Sequence, residues 1–300
     1  MRNRIFLVLL SLILGSQGLQ AQPEYRPVHH FIPTGISPAF FGPNAFPVPD
    51  FFPGRPAEHL RIEAAGDFFK GSIGDGKDYT WNPYLFIEIP LFSHRASLSV
   101  WTDTEEFYYF SDAVAEARQV LETGPISGSD PGDIYVGTNI LVLEEKGWWI
   151  PDIMLRAVMK TASGDDYGRA RHYDCPGYYF DTVVSKSYLF PEGSFFRSVR
   201  ASLDLGFVCW QTDNGRQNDA FMVGLVASVD TRPVRLTAQW GGYSGWENRG
   251  DSPRSVKARL DIHASRHFDV FFYFQQGLQD WPFTQCRAGL TYYLQRNARP

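Results

Sequence analysis

Two histidine patterns are the first candidates for chemistry in this sequence. His263 and Ser265 are two residues apart, a spacing that could serve a base and a nucleophile in acyl transfer. They fall at a predicted short turn, so we expect no catalytic role for them. His29 and His30 are adjacent without further ligands, which makes a weak metal site. Because the sequence also lacks a phosphate-binding glycine loop and a Cys-x-x-Cys pair, we expect no enzymatic activity, no metal and no cofactor.

Charged residues that alternate with apolar ones are stronger candidates for function. They are Asp67, Arg156, Lys160, Asp204, Arg259, Asp261 and Arg287. Opposed charges across a narrow lumen create a transverse field and a selective path for a small solute. The same charges could instead pair with one another and simply fill the lumen, and the sequence leaves both possibilities open. We expect four further aspartates to be solvated loop or rim charges rather than a calcium site: Asp165, Asp166, Asp174 and Asp181.

The elements that would position these charges are β-strands. Between residues 256 and 264, apolar residues alternate with Lys257, Arg259, Asp261 and His263. Alternate residues of a strand face opposite sides of a sheet, so each such strand has one apolar and one largely polar face. A soluble β-sandwich would have to bury the charges unpaired, which is costly. A membrane barrel with a wet lumen explains the pattern better.

Twelve such strands are predicted, with connections that alternate in length. The strands lie near residues 58–72, 80–91, 95–110, 132–143, 151–162, 177–188, 197–211, 219–229, 233–243, 254–264, 267–277 and 283–294. Connections after even strands are short and those after odd strands are mostly longer, a pattern typical of bacterial outer-membrane barrels. We therefore predict an all-β fold, a transmembrane antiparallel up-and-down barrel over residues 57–300, with both chain ends in the periplasm.

Residues 1–21 have the pattern of a cleaved signal peptide. Two arginines, Arg2 and Arg4, precede an apolar run from Ile5 to Gly15, and Ala21 is a suitable residue for cleavage. The run is too short for a spanning helix, so we expect export to the cell outer membrane. Cleavage would leave 26 basic and 33 acidic residues, a balance that makes nucleic acid an unsuitable partner.

Residues 22–56 are rich in proline, which removes backbone donors and disfavours both helix and central strand. Phenylalanines such as Phe46, Phe51 and Phe52 lie among these prolines and require shelter from water. We expect this extension to fold into or across the periplasmic mouth as a partial plug.

Aromatic residues gather near the predicted strand ends, where two interfacial girdles would contact outer-membrane lipid and lipopolysaccharide. On the short-turn side they are Trp148, Trp149, Phe195, Phe196 and Phe268, and toward the loops they are Trp81, Tyr108, Tyr109, Tyr179, Trp240, Tyr243 and Trp281.

Several stretches carry resemblances to known families. The signal end Leu19-Gln20-Ala21-Gln22 resembles those of Bacteroidetes-type outer-membrane proteins. Residues 132–137 together with residues 151–164 resemble the outer-membrane transporter family named for the meta-pathway of phenol degradation, which implies a channel. The last strand, with Ala288, Leu290, Tyr292 and Leu294, resembles the terminal strand read by the barrel-assembly machinery. That machinery is therefore an expected partner.

A barrel enzyme is the least favoured of three possible functions. Residues 210–215 resemble the motif of outer-membrane phospholipase A, but Gln211 and Asp213 stand at the histidine and serine positions. Without base and nucleophile the hydrolytic chemistry fails. The leading hypothesis is a channel or transporter for a small, partly apolar solute. The alternative is a non-transporting scaffold or binding barrel.

Overall fold

Twelve antiparallel strands form a closed barrel in the computed structural model of this protein. The structure describes residues 40–73, 76–91, 94–120, 122, 124–164, 166–173, 176–211, 217–245 and 252–294. The barrel closes because the first strand, Arg61–Gly71, pairs both with the next strand, Asp78–Leu91, and with the last, Phe283–Tyr293. The predicted fold class and strand number are therefore confirmed. The predicted signal peptide and residues 22–39 of the proline-rich extension lie outside the described residues.

The sheet contains fourteen strands in all, of which β4 and β5 form an additional hairpin. The strands are β1 (Arg61–Gly71), β2 (Asp78–Leu91), β3 (Ala96–Asp103), β4 (Glu106–Phe110), β5 (Ile126–Asp130), β6 (Ile134–Leu143), β7 (Asp152–Lys160), β8 (Gly177–Leu189), β9 (Phe196–Gln211), β10 (Gln217–Thr231), β11 (Val234–Ser244), β12 (Arg254–His263), β13 (Phe268–Gln279) and β14 (Phe283–Tyr293). A short helix α1 (Asp112–Ala117) and a 3-10 turn (Tyr167–Arg169) lie in the loops. Among the described residues, none of the helical turns has the length and apolarity to cross a membrane.

One predicted strand, residues 95–110, is divided in two. Its first part, β3, pairs with β2 and β6, whereas its second part, β4, pairs with β2 and β5. The break falls opposite Pro83 of β2, which has no N–H to donate to a ladder. The Thr104 N–H instead donates to the Pro83 carbonyl at 2.9 Å. The chain leaves the barrel wall there and forms the hairpin.

The two faces of the wall differ as the alternation predicts. Apolar side chains point outward and are exposed, among them Leu155, Phe180, Leu205, Phe272 and Leu290. The inward positions of the same strands carry polar and charged side chains that are largely buried. Burial of charge inside and exposure of hydrocarbon outside is the reverse of a soluble protein, and it is the arrangement of a transmembrane barrel.

The predicted aromatic girdles are partly present. All five aromatics predicted at the short-turn side are exposed, as are Trp81, Tyr109 and Trp240 toward the loops. The prediction was wrong for Tyr108, Tyr179, Tyr243 and Trp281, which are buried. Of these, Tyr179 and Tyr243 occupy inward positions of their strands, so they pack inside the barrel rather than facing lipid.

Candidate functional site

The interior of the barrel is occupied by residues 40–57, here called the luminal segment. It contains no helix and no strand. At one end the Ala57 N–H donates to Glu88 Oε1 at 3.1 Å, beside the start of β1 and the short turns. At the other end the Gly42 N–H donates to the Ala170 carbonyl at 2.9 Å, in the long connection between β7 and β8. The segment therefore runs from the short-turn end of the barrel to the loop end.

At the short-turn end, wall side chains hold the backbone of the luminal segment. Arg200 of β9 donates to the carbonyls of Pro53 and Gly54, and the Ser202 hydroxyl donates to the Pro53 carbonyl at 3.1 Å. Arg55 of the segment pairs with Asp152 of β7 at 2.7 Å. Because an irregular backbone leaves carbonyls without ladder partners, the wall must supply donors for them.

In the middle of the barrel, polar wall residues bind both backbone and side chain of the segment. Lys257 Nζ lies 2.9 Å from the carbonyls of Val48 and Pro49 and 2.6 Å from Asp50 Oδ1. Arg156 Nη1 donates to the Asp50 carbonyl at 2.7 Å. Charged groups make stronger hydrogen bonds than neutral ones, so Asp50 is held on both sides.

Two segment amides in the same region find acceptors on wall side chains of β11 and β9. The Phe51 N–H donates to Gln239 Oε1 at 3.0 Å, and the Phe52 N–H donates to Asp204 Oδ2 at 2.7 Å. These bonds satisfy two backbone N–H groups that have no strand ladder to donate to.

A pair of glycines makes room for Phe51. Gly224 of β10 and Gly241 of β11 are directly opposite each other in the sheet. A Cβ added at either position would overlap the Phe51 ring. The missing side chains thus form a notch in the inner wall, and the buried phenylalanine fills it.

Toward the loop end the segment is held mainly by aromatic packing. The Phe41 ring packs edge-on against Phe46, with centroids 5.4 Å apart, and against Tyr173 at 5.3 Å. Phe46 also contacts Trp210 of β9. Phe41 and Phe46 are almost completely buried. Burial of this kind stabilises each ring by roughly 1.5–3 kcal/mol, so apolar packing holds this end of the segment in place.

Around these rings lies a buried cluster of ion pairs from the loops and strand ends. Arg118 pairs with Asp78 at 2.6 Å and also donates to the Phe41 carbonyl at 3.3 Å. Arg171 Nε donates to Glu106 Oε1 at 2.7 Å, and the same carboxylate accepts from Asn44 of the luminal segment. The cluster therefore connects the segment to α1, to β4 and to the connection between β7 and β8.

His172 lies within this cluster between two carboxylates, 3.6 Å from Glu106 Oε2 and 3.7 Å from Asp133 Oδ2. Burial disfavours its protonation, but the charges of Glu106 and Asp133 raise its pKa above the ordinary value of 6.5. Burial likewise opposes ionisation of Asp133, yet His172 and Lys160 lower the pKa of this carboxyl to about 2. Both shifts favour the charged forms of His172 and Asp133.

The charged residues predicted to line a solute path all face the interior, and each has a partner. Arg287 Nε donates to Asp67 at 2.7 Å, and Arg259 pairs with Glu63 at 2.7 Å and with Asp261 at 2.9 Å. Three further contacts complete the predicted set: Arg156 with Asp181, Lys160 with Asp133, and Asp204 with the Phe52 amide. Whether they form a solute path stays a prediction.

Several partners were not predicted from sequence. Asp181 was expected as a solvated rim charge, but it is buried and paired with Arg156 inside the barrel. Glu63, Asp50 and Lys257 were not singled out as site residues. Alternation marked Lys257 as inward-facing, but its partner could not be inferred because Asp50 lies in an irregular segment.

The predicted plug residues occupy the luminal segment, where Phe46 and Phe51 are buried and Phe52 is partly buried. They are not confined to the predicted periplasmic mouth, since the segment reaches the loop end. Its ability to close the barrel is a prediction that the geometry does not itself test.

Of the histidine patterns, the structure describes His263 and Ser265, and each has other hydrogen-bond partners. His263 lies 3.1 Å from Asp269 and 3.3 Å from Asp230, and the Ser265 hydroxyl oxygen accepts the N–H groups of His267 and Phe268. Asp165, Asp174, Asp213, His29 and His30 lie outside the described residues. Within the described part of the chain, no three His, Cys, Asp or Glu side chains converge as metal ligands would.

No protein-family model and no curated protein sequence matches this chain. Among solved structures, the NanC porin is similar with a TM-score of 0.49 at 11% identity, covering 78% of this chain and 100% of its own. A KdgM porin has a TM-score of 0.45 at 8% identity and covers 78% and 99%. Outer membrane phospholipase A from Escherichia coli has a TM-score of 0.40 at 11% identity and covers 86% and 98%.

Proposed function

We propose that this protein is an outer-membrane barrel whose lumen is a channel for a small, partly apolar solute, closed in this conformation by the luminal segment. The observation that carries the proposal is the way the segment is held. It adds no strand to the sheet, and wall side chains such as Arg156, Arg200 and Lys257 bind its carbonyls. Withdrawal of the segment would leave a polar inner wall.

The outer surface supports a membrane location. Exposed apolar side chains cover the outward positions of the strands, and exposed aromatics lie at both rims. A twelve-stranded barrel is intermediate between eight-stranded barrels filled by side chains and sixteen-stranded open porins. Its lumen is wide enough to hold a chain segment, and therefore wide enough for a small solute once that segment moves.

A non-transporting scaffold is the second candidate, favoured by a specific observation. Arg156, Arg259 and Arg287 each pair with a carboxylate of the wall itself. Such pairs would stay in place without the segment and would narrow the lumen. In a scaffold the long connections at the loop end would bind the partner.

Planar-bilayer conductance separates the two candidates. Deletion of residues 22–56 is expected to convert a closed or rarely open protein into one with steady current steps, with circular dichroism as the control for folding. A deletion variant that keeps its β content and never conducts would contradict the channel and favour the scaffold. Should the deletion variant not fold, Phe46→Ala in the full chain provides the same comparison.

A further inference from the structure

Lys257 differs from the other cations of the inner wall in the source of its counter-charge. Arg156 pairs with Asp181, Arg259 pairs with Glu63 and Asp261, and Arg287 pairs with Asp67, all of which are wall residues. Among the described residues, the carboxylate that pairs with Lys257 is Asp50 of the luminal segment. Lys257 is the wall cation that withdrawal of the segment would leave without an anion.

The group that Lys257 binds is also held by Tyr273. Its hydroxyl lies 2.9 Å from Asp50 Oδ1, while Lys257 Nζ lies 2.6 Å from the same oxygen. Tyr273 and Lys257 are on the paired strands β13 and β12, where Arg259 is directly opposite Tyr273. Two donor groups on neighbouring strands therefore lie within hydrogen-bond distance of one carboxylate oxygen, and Gln275 Oε1, 3.0 Å from the Tyr273 hydroxyl, is the other acceptor within reach of that hydroxyl.

Lys257 and Asp50 differ in the exposure of their side chains. The side chain of Lys257 is 1% exposed, whereas that of Asp50 is 56% exposed. The donors are thus fixed parts of the wall, and the carboxylate is accessible from the lumen. The Asp50 carboxylate can therefore be replaced by another carboxylate without a change in the strands that carry the donors.

A buried ammonium group without a counter-ion is costly, because removal of one partner leaves an uncompensated charge. When the segment moves away, an external anion that reproduces the Asp50 contacts would restore the compensation. Lys257 and Tyr273 both lie within hydrogen-bond distance of Asp50 Oδ1, so the carboxylate of a small molecule could take the place of this oxygen. The exposed side chain of Asp50 indicates that the site is open to the lumen.

We propose that Lys257 and Tyr273 form a binding subsite for the carboxylate of a small anionic solute, and that Asp50 occupies this subsite as an internal mimic when the barrel is closed. The assignment rests on the proposed channel function and names the chemical class of its solute. A solute carboxylate and Asp50 then compete for the same donors.

The test uses the full chain with Asp50→Ala, which vacates the subsite and leaves the rest of the segment in place. Thermal unfolding in detergent is measured with potassium acetate as the probe, against acetamide as its neutral counterpart and potassium chloride at equal ionic strength. We expect acetate to stabilise Asp50→Ala at concentrations at least tenfold lower than acetamide or chloride. Adding Lys257→Gln should abolish the difference, whereas adding Lys146→Gln, at an exposed turn, should preserve it.

Equal effects of acetate, acetamide and chloride on Asp50→Ala would overturn the assignment, as would an acetate effect that survives Lys257→Gln. If Asp50→Ala does not fold, acetate is applied to the intact protein in a bilayer. There, competition with Asp50 should raise the opening frequency severalfold over acetamide, and an equal frequency would overturn the assignment. Acetate binding in a protein that never conducts would instead retain the subsite and reject the channel.

Discussion

The two halves of the luminal segment are held by different physical means. Residues 41–48 bury Phe41 and Phe46 among aromatic rings at the loop end, surrounded by ion pairs with almost no exposure. In residues 50–57 one ring, Phe51, is buried in its notch, and the backbone is held mainly by hydrogen bonds from wall side chains, with Arg55 partly exposed. Hydrocarbon packing excludes water at one end, whereas polar bonds at the other can be exchanged for water. We therefore infer that the short-turn half is released more easily.

The largest effect is expected at the loop end. Phe46→Ala removes a buried ring from the aromatic cluster and should cost about 3–5 kcal/mol. Phe52→Ala, in the other half, should cost less because Phe52 is only partly buried. Unfolding midpoints and bilayer currents of the two variants check this order. Equal destabilisation by the two substitutions would contradict the inference that the loop half is held more tightly than the short-turn half.

The next effect concerns the notch in the wall. Gly224→Ala places a methyl group where the Phe51 ring lies, so the ring must leave the notch. Lost burial should weaken segment attachment by roughly 1.5–3 kcal/mol and raise the open fraction. Gly66→Ala is the matched control, because a Cβ there meets its nearest neighbour at an ordinary 3.5 Å. Similar currents from both variants would show that the notch does not hold the segment.

The sequence predicted the barrel well because its wall obeys a strict local rule. Alternation of apolar and polar residues follows from strand geometry alone, and it located Arg156, Arg259 and Arg287 on the inner face. The luminal segment has no such period, since its prolines prevent pairing. Its contacts, for example Asp50 with Lys257, join residues far apart in the chain. Only the folded structure brings them together.

Two features of the interior differ from what the sequence predicted or were not predicted at all. Asp181 was expected among the solvated loop or rim charges, but its position in β8 turns it inward toward Arg156. The notch for Phe51 was not predicted, although the Gly241-Gly242 pair and Gly224 are visible in the strands. A glycine in a strand signals close approach of another group, but the sequence does not say which.

A pH effect is expected at the loop end. His172 faces Glu106, Asp133 and Lys160, and the two carboxylates raise its pKa above 6.5. A raised pKa in the folded state gives stability that is complete below the unfolded value and is lost as pH rises through the folded value. The unfolding midpoint should therefore fall on the alkaline side of 6.5, and His172→Gln should flatten that fall. An unchanged pH profile in the variant would contradict the assignment.

The smallest effect is expected for Asp204→Asn. The side-chain oxygen of asparagine can still accept the Phe52 N–H, so the change should be no more than about 1 kcal/mol. Asp204→Leu removes the acceptor and leaves the amide unpaired, which should cost about 1–3 kcal/mol. If the leucine variant equals the asparagine variant in unfolding midpoint, this hydrogen bond does not contribute to holding the segment.

The central claim is that the luminal segment closes the barrel, and a reversible covalent lock tests it most directly. Phe51→Cys and Gly224→Cys place two thiols where the ring now fills the notch, with Cys175, Cys209 and Cys286 replaced by serine. Bilayer current is recorded before and after reduction of the new disulfide. We predict that the oxidised protein is closed and that reduction opens it, because the segment has then lost the Phe51 contact. An oxidised protein that conducts as freely as the reduced one would contradict the account.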